Sequence, residues 1–136
     1  VEPQENAARL QPAMTLASEI IAVRELEEGD AVGYGAGFVC QRPTRIATVA
    51  MGYGDGYPRS ARNGTPVVVN GERAQIAGRV SMDMITIDIT DLPAEVGDRV
   101  EFWGEQLPVA EVAACCDAIP YTLLTGVTRR VRIKYS

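Results

Sequence analysis

The dipeptide Asn70-Gly71 is the feature that most limits how this chain can fold, because it separates two runs of strand-forming residues, 66–69 and 72–80. Both residues accept the positive φ angles that a two-residue primed turn requires. The two runs are therefore predicted to pair as a β-hairpin. Tight hairpins of this kind are typical of antiparallel β structure.

Short strand-like runs recur on either side of this hairpin, separated by turn residues. They cover residues 14–26, 31–38, 44–51, 81–89, 99–103 and 127–134. Helix-forming sequence is confined to 110–117, which follows Pro108, and to a short segment at 119–125. The pattern predicts a mainly β domain, a small antiparallel barrel or sandwich of seven or eight short strands with one or two short helices near the C-terminus.

Run 81–89 alternates most clearly. Its two predicted faces are Met82, Met84, Thr86 and Asp88 on one side and Asp83, Ile85, Ile87 and Ile89 on the other. The residues around its start, from Gly78 to Met84, are expected to form a turn between two strands. This turn would present an arginine, a methionine and an aspartate together.

Composition excludes several classes of function. A net charge of −5 argues against a nucleic-acid surface and against an anionic membrane surface, since both need clustered lysine and arginine. No apolar run approaches the roughly 20 residues of a membrane span, and no signal peptide is visible. The three cysteines, Cys40, Cys115 and Cys116, do not form a disulfide framework pattern, so a reducing, cytoplasmic setting is expected.

Histidine is absent from the chain. A Ser-His-Asp or Cys-His arrangement within this polypeptide is therefore excluded, and three scattered cysteines do not suggest a metal site. Acid–base chemistry here must use Tyr, Lys, Arg, Asp, Glu or Cys.

Residues 51–59, MGYGDGYPR, are called the glycine loop here. They follow the predicted strand 44–51 and combine three glycines with two phenols, a carboxylate and a guanidinium. Such a loop at a strand end is a candidate site. The alternative is a surface turn whose tyrosines cover the edge of the core. Asp55 is expected to hold the loop together through its backbone amides, while Tyr57 and the three cysteines are expected to pack.

Three blocks together carry a family resemblance: Val32-Gly33-Tyr34-Gly35, the glycine loop, and Gly78-Arg79 followed by Met82-Asp83. In this order and spacing they resemble the C-terminal domain of alanine racemase, a pyridoxal-phosphate enzyme. The resemblance runs from about residue 12 to the end. It implies that residues 13–136 are this β domain and that 1–12 are a linker or tail from a missing N-terminal barrel.

The resemblance also implies partners. Members of the family are homodimers in which a (β/α)8 barrel holds the cofactor covalently on a lysine, and the β domain reaches the active site of the other subunit. The chain is too short to hold the barrel. Its expected partners are its own barrel, a second subunit and alanine. The chain alone is expected to be inactive and to bind no pyridoxal phosphate.

Residue by residue, Tyr34 matches the catalytic tyrosine, one of two bases. Racemisation needs an acid–base group on each face of the α carbon, and a lysine with a tyrosine can supply both without histidine. The phenol, of ordinary pKa about 10, would need a nearby cation, expected from the barrel, to act near neutral pH. The alternative is a strand tyrosine that caps the core.

The remaining matches lie around the substrate. Tyr53 and Arg59 match residues of the substrate entrance, and Arg79 and Asp83 fall at entrance positions as well; charges there would select small zwitterions. Met82 matches a residue whose backbone N–H faces the substrate carboxylate, although a core-filling role is also compatible with methionine.

One position departs from the family pattern. Some members have a tyrosine near the C-terminal strand that reaches the cofactor phosphate, and Arg129 stands there in this chain. Arginine can contact phosphate, although an arginine in a strand is more often solvated.

Other functions remain open at this stage. They are a broad-specificity amino-acid racemase of the same family, a stand-alone β module that binds a small ligand, and a dimerising domain without a site.

Overall fold

The structure, a computed structural model, describes residues 15–32 and 38–116. Eight strands, one α-helix and one short 3-10 helix make up its regular structure. The strands are β1 Leu16–Leu26, β2 Ala31–Val32, β3 Phe38–Val39, β4 Thr44–Val49, β5 Pro66–Val69, β6 Glu72–Ile76, β7 Ile85–Asp88 and β8 Arg99–Trp103, and the helices are the 3-10 helix Tyr53–Asp55 and α1 Val109–Cys115.

Six of the strands form a closed barrel in the order β1-β4-β7-β6-β5-β8, and every neighbouring pair is antiparallel. The predicted hairpin is present, with Val69 paired to Glu72 across the turn. Asn70 and Gly71 have φ angles of 52° and 83°, as a primed turn requires. The expectation of a small antiparallel β domain is thus confirmed, and the barrel form is the correct one.

The long strand β1 closes the barrel by pairing on both sides. Leu16–Glu19 pairs with β8, whereas Ile20–Leu26 pairs with β4. The register shifts between Ile20 and Ala22, where an irregularity lets the strand bend from one neighbour to the other. A strand shared in this way leaves few open edges in the barrel.

Alternating side chains fill the barrel. Ile85, Ile87 and Ile89 are buried and Thr86 and Asp88 are half-buried, which confirms the alternation over this part of the run. The helix α1 adds Val112 and its apolar neighbours to the same core. Pro108 stands at the N-cap of α1, close to the position predicted for it.

Three predicted strands are wrong in extent. Run 72–80 is a strand only as far as Ile76. Run 31–38 is not one strand, because Val32 pairs antiparallel with Phe38. Run 81–89 becomes a strand only at Ile85, because the Ser81 side chain bonds both backbone groups of Met84 and so forms a turn. Asp83 is accordingly exposed, not on the face of the isoleucines. The predictions for 1–14, 119–125 and 127–134 lie outside the described residues.

Within the described ranges, no helix is long and apolar enough to cross a membrane.

Candidate functional site

The glycine loop is a tight, self-bonded turn. Its 3-10 helix Tyr53–Asp55 begins after Gly52, whose N–H donates to Oδ2 of Asp55 at 3.0 Å. Gly56, with a φ angle of 101°, ends the helix in the left-handed region that favours glycine. Asp55 is 8% exposed. The expectation that Asp55 holds the loop through backbone amides is therefore confirmed.

Residues 78–84 form a second turn, which links β6 to β7 and is called the 78–84 turn here. Gly78 enters it at a φ angle of 97° and donates its N–H to Oδ1 of Asn63 at 2.7 Å. Ser81 closes the other end, accepting from the N–H of Met84 and donating to its carbonyl. The side chains of Met82 and Asp83 stand exposed between these two anchors.

The glycine loop and the 78–84 turn touch backbone to backbone. The N–H of Tyr53 donates to the Ser81 carbonyl at 3.0 Å, and the N–H of Gly54 donates to the Met82 carbonyl at 2.9 Å. A Cβ added to Gly52 would lie 2.3 Å from the Met82 carbonyl oxygen, which is far inside contact distance. Only glycine permits this close approach. The contact between the glycine loop and the 78–84 turn therefore depends on the glycine at position 52.

The two turns enclose an open cleft of about 830 Å³, called the loop–turn cleft here. Five predicted site residues line it: Tyr53, Arg59, Arg79, Met82 and Asp83. They come from separate parts of the sequence and meet because the glycine loop and the 78–84 turn are bonded to each other. Tyr53 is 37% exposed and Met82 51% exposed, so the core-filling alternative for the Met82 side chain is wrong.

Two predicted site residues, Tyr34 and Arg129, lie outside the described residues. The sequence reasoning also missed residues that line the cleft, among them Arg62 and Met84. Arg62 lies three residues after Arg59, and Met84 lies two residues after Met82 on the same predicted face of the run. Proximity to a recognised residue was the available signal for both.

Arginines give the cleft its chemistry. Arg59, Arg62 and Arg79 line it together with one carboxylate, Asp83, although the whole chain carries a net charge of −5. The Arg59 guanidinium lies 5.1 Å from the centroid of the Tyr53 ring, a cation–π contact that holds the two side chains together. A locally cationic cleft suits a small molecule that bears a carboxylate.

The Met82 backbone adds a possible donor. Across residues 15–32 and 38–116, the Met82 N–H makes no hydrogen bond with the protein, while the Met82 carbonyl is occupied by Gly54. An N–H beside an arginine-lined cleft is a suitable partner for a carboxylate oxygen.

Behind the loop, Tyr57 belongs to the core, as expected. It is 1% exposed, its ring lies edge-on to Phe102 with centroids 5.1 Å apart, and it stacks with Trp103 at 5.9 Å. Burial raises the pKa of the Tyr57 phenol well above its ordinary value, and Cys116 and then Cys115 raise it further. This tyrosine is therefore neutral and unsuited to proton transfer near neutral pH.

None of the three cysteines, all of which lie in the described ranges, forms a disulfide. Cys116 is buried in the main core of the barrel. Cys40 is buried in a smaller apolar cluster with Val32, Ile46 and Ala77, and Cys115 is half-buried. The described ranges contain no group of three or more His, Cys, Asp or Glu side chains placed to hold a metal ion.

Another groove, of about 530 Å³, contains none of the predicted site residues. Its arginines are paired: Arg42 with Asp91 at 2.9 Å, and Arg73 with Glu111 through two nitrogens. The hydrogen bond from Arg73 lowers the pKa of Glu111. The arginines of this groove therefore already have carboxylate partners.

Comparison with known proteins links this geometry to one family. A family model described as "Alanine racemase, C-terminal domain" matches residues 13–135. The chain is 59% identical to the alanine racemase of Chromohalobacter salexigens, over 99% of this chain and 38% of that protein. It also matches the crystal structure of the biosynthetic alanine racemase from Pseudomonas aeruginosa, with a TM-score of 0.89 and 55% identity over 93% of this chain and 36% of that one.

A further match is the alanine racemase from Bartonella henselae with covalently bound pyridoxal phosphate, with a TM-score of 0.80 and 36% identity over 84% of this chain and 32% of that one. The chain thus spans about a third of the length of the relatives that it matches.

Proposed function

The chain belongs to the alanine racemase C-terminal domain family, and we propose that its residues 13–136 are the C-terminal domain of a longer alanine racemase that interconverts L- and D-alanine. Residues 1–12 would then connect it to an N-terminal (β/α)8 barrel. The family match over 13–135 supports these boundaries, and so does the share of each relative that the chain leaves uncovered.

The observation that carries the proposal is the loop–turn cleft. Five residues that were selected by their match to the family line one open cleft, whereas the groove of about 530 Å³ contains none of them and has its arginines paired with carboxylates. The cleft exposes apolar as well as charged groups, including Tyr53, Met82 and Met84. Such a surface suits contact with another protein, and we assign that role to the barrel of a second subunit in a homodimer.

The cofactor is assigned to the rest of the enzyme. No described residue that lines the cleft is a lysine, and the one lysine of the chain, Lys134, lies outside the described ranges. A relative carries covalently bound pyridoxal phosphate, which, when bound, makes the α proton of an amino acid acidic enough to remove. In this proposal Arg129 contributes a contact to the cofactor phosphate.

The described residues would bind and orient the substrate. The cationic cleft would draw the alanine carboxylate inward past Tyr53 and Arg59, and the Met82 N–H would donate a hydrogen bond to that carboxylate. Tyr34 would hold or release a proton on one face of the α carbon, opposite a barrel lysine. Its phenol would need a neighbouring cation from the barrel to lower its pKa.

The test uses the full-length enzyme. Tyr34→Phe keeps the ring and deletes the hydroxyl, so racemisation should fall by ~10²–10⁴-fold while cofactor binding persists. In D₂O, exchange of the α proton should survive better for one enantiomer, because the lysine side needs no phenol. Tyr57→Phe is the matched control, a buried tyrosine whose change should leave the rate nearly unaltered.

Two outcomes would contradict the proposal. If the wild-type enzyme does not racemise alanine, the assigned function is wrong. If Tyr34→Phe inverts both enantiomers at near wild-type rates, Tyr34 has no part in the mechanism and the alternative of a core-capping tyrosine is restored.

A further inference from the structure

Asp55 is a buried carboxylate that the proposed reaction does not use. It lies at the back of the glycine loop, where its Oδ2 accepts the Gly52 N–H at 3.0 Å. A buried carboxylate that accepts a backbone N–H forms one of the stronger hydrogen bonds in a protein. The bond joins the first and last residues of the tight turn, so the backbone of Tyr53 between them has little freedom.

The fixed backbone of the glycine loop in turn restricts the 78–84 turn. The Tyr53 N–H donates to the Ser81 carbonyl, and Gly52 leaves no space between the two backbones. The Ser81 carbonyl and the Met82 N–H belong to one peptide group. Because a trans peptide is planar with its C=O and N–H pointing in opposite directions, holding the carbonyl toward the Tyr53 N–H also fixes the direction of the Met82 N–H, which points away from that donor.

A second bond fixes the other side of the same residue. The Gly54 N–H donates to the Met82 carbonyl at 2.9 Å, so both peptide groups that flank Met82 are bonded to the glycine loop. A peptide whose carbonyl accepts a hydrogen bond is also polarised, which strengthens its N–H as a donor. The orientation and the strength of the Met82 N–H therefore depend on the glycine loop.

From these contacts we infer that Asp55 is a positioning residue, which acts through Gly52–Gly54 to aim the Met82 N–H and the Tyr53 ring as one unit. The inference rests on the proposed function, in which Met82 receives the substrate carboxylate. Removing the Asp55 carboxylate weakens two substrate contacts together, although Asp55 itself touches neither the substrate nor the cofactor.

The first measurement is steady-state kinetics of the full-length enzyme. Asp55→Ala should raise the KM for alanine about tenfold or more, the factor expected for losing a hydrogen bond to a charged group, with a smaller change in kcat. Asp55→Asn keeps an oxygen that can accept the Gly52 N–H and should restore most of the loss. If Asp55→Ala does not fold, Gly52→Ala provides the test, because its methyl group drives the glycine loop away from Met82.

Glu101 provides a matched structural control. It is also a buried carboxylate that accepts backbone N–H groups, those of Gln106 and Leu107, but it does not line the loop–turn cleft. Glu101→Ala should lower stability without raising KM selectively. If Asp55→Ala and Glu101→Ala raise KM equally, the rise reflects a general loss of stability and the inference is overturned.

The second measurement does not depend on activity. Hydrogen exchange of the full-length protein, without substrate, should show the amides of Tyr53 and Gly54 exchanging about five- to tenfold faster in Asp55→Ala, as expected for losing an ordinary hydrogen bond. The amides should remain protected in Asp55→Asn and Glu101→Ala. Unchanged exchange in Asp55→Ala would overturn the inference even if the enzyme racemises alanine. Faster exchange in a protein that does not racemise alanine would support the coupling and contradict the proposed function.

Discussion

Replacing Tyr57 by phenylalanine should stabilise this domain. The Tyr57 hydroxyl is buried and has no hydrogen-bond partner among the described residues. A buried polar group without a partner costs about 1–3 kcal/mol. Phenylalanine would keep the ring contacts with Phe102 and Trp103 and lose only the oxygen and its weak dispersion contacts. The expected gain in the free energy of unfolding is therefore about 1–2 kcal/mol.

The assay is equilibrium unfolding of the 136-residue chain in urea. The closed barrel has a core of its own, so it should unfold cooperatively. A gain of this size would raise the urea midpoint by roughly 0.5–1 M. Tyr53→Phe is the control, because its phenol is partly exposed and its loss should change stability by less than about 0.5 kcal/mol.

The pH dependence gives an independent check on the same hydroxyl. Burial raises the pKa of Tyr57 in the folded state, so above a pH of about 10 the unfolded chain loses this proton while the folded chain keeps it. Stability that is present below pH 10 is then lost as the pH rises, by up to about 1.4 kcal/mol per unit from this group. Tyr57→Phe should remove this part of the alkaline decline.

Destabilisation by Tyr57→Phe would refute the reasoning. It would mean that the Tyr57 hydroxyl has a hydrogen-bond partner. The loss of folding stability above pH 10 would then have to come from groups other than Tyr57.

Three further predictions concern the hairpin, the surface and the isolated chain. Asn70→Val should destabilise the domain by about 1–2 kcal/mol in urea, because a β-branched residue is strained at a φ angle of 52°, whereas Asn70→Gly should be nearly neutral; equal effects would argue against the primed turn. Arg73→Ala should leave the midpoint of thermal unfolding nearly unchanged, since its pair with Glu111 is exposed, and a clear fall in the midpoint would mean that the pair contributes more than a surface ion pair does. The chain alone, supplied with pyridoxal phosphate, should racemise alanine no faster than a heat-denatured sample; measurable turnover would contradict the assignment of the cofactor to the rest of the enzyme.

Local sequence signals determined most of the barrel. The Asn70-Gly71 turn identified one hairpin, because few residues accept its backbone angles. Alternation identified the buried isoleucines of β7, since side chains in a strand point to opposite faces in turn. The family resemblance identified five residues of the site. Nothing in the spacing of these residues showed that they lie close together in the fold.

Only the tertiary structure decided how the site is assembled. Tyr53 and Met82 come together because strand pairing carries the glycine loop to the 78–84 turn, and the missing side chain of Gly52 then lets the two backbones bond. The same turn delays the start of the predicted strand 81–89 to Ile85, since the Ser81 hydroxyl bonds to Met84 and competes with strand pairing. The first outcome depends on contacts between residues distant in sequence, and a pattern read along one chain carries no information about such contacts. The second is a local contact, in which the Ser81 hydroxyl outweighs the alternating pattern of the run.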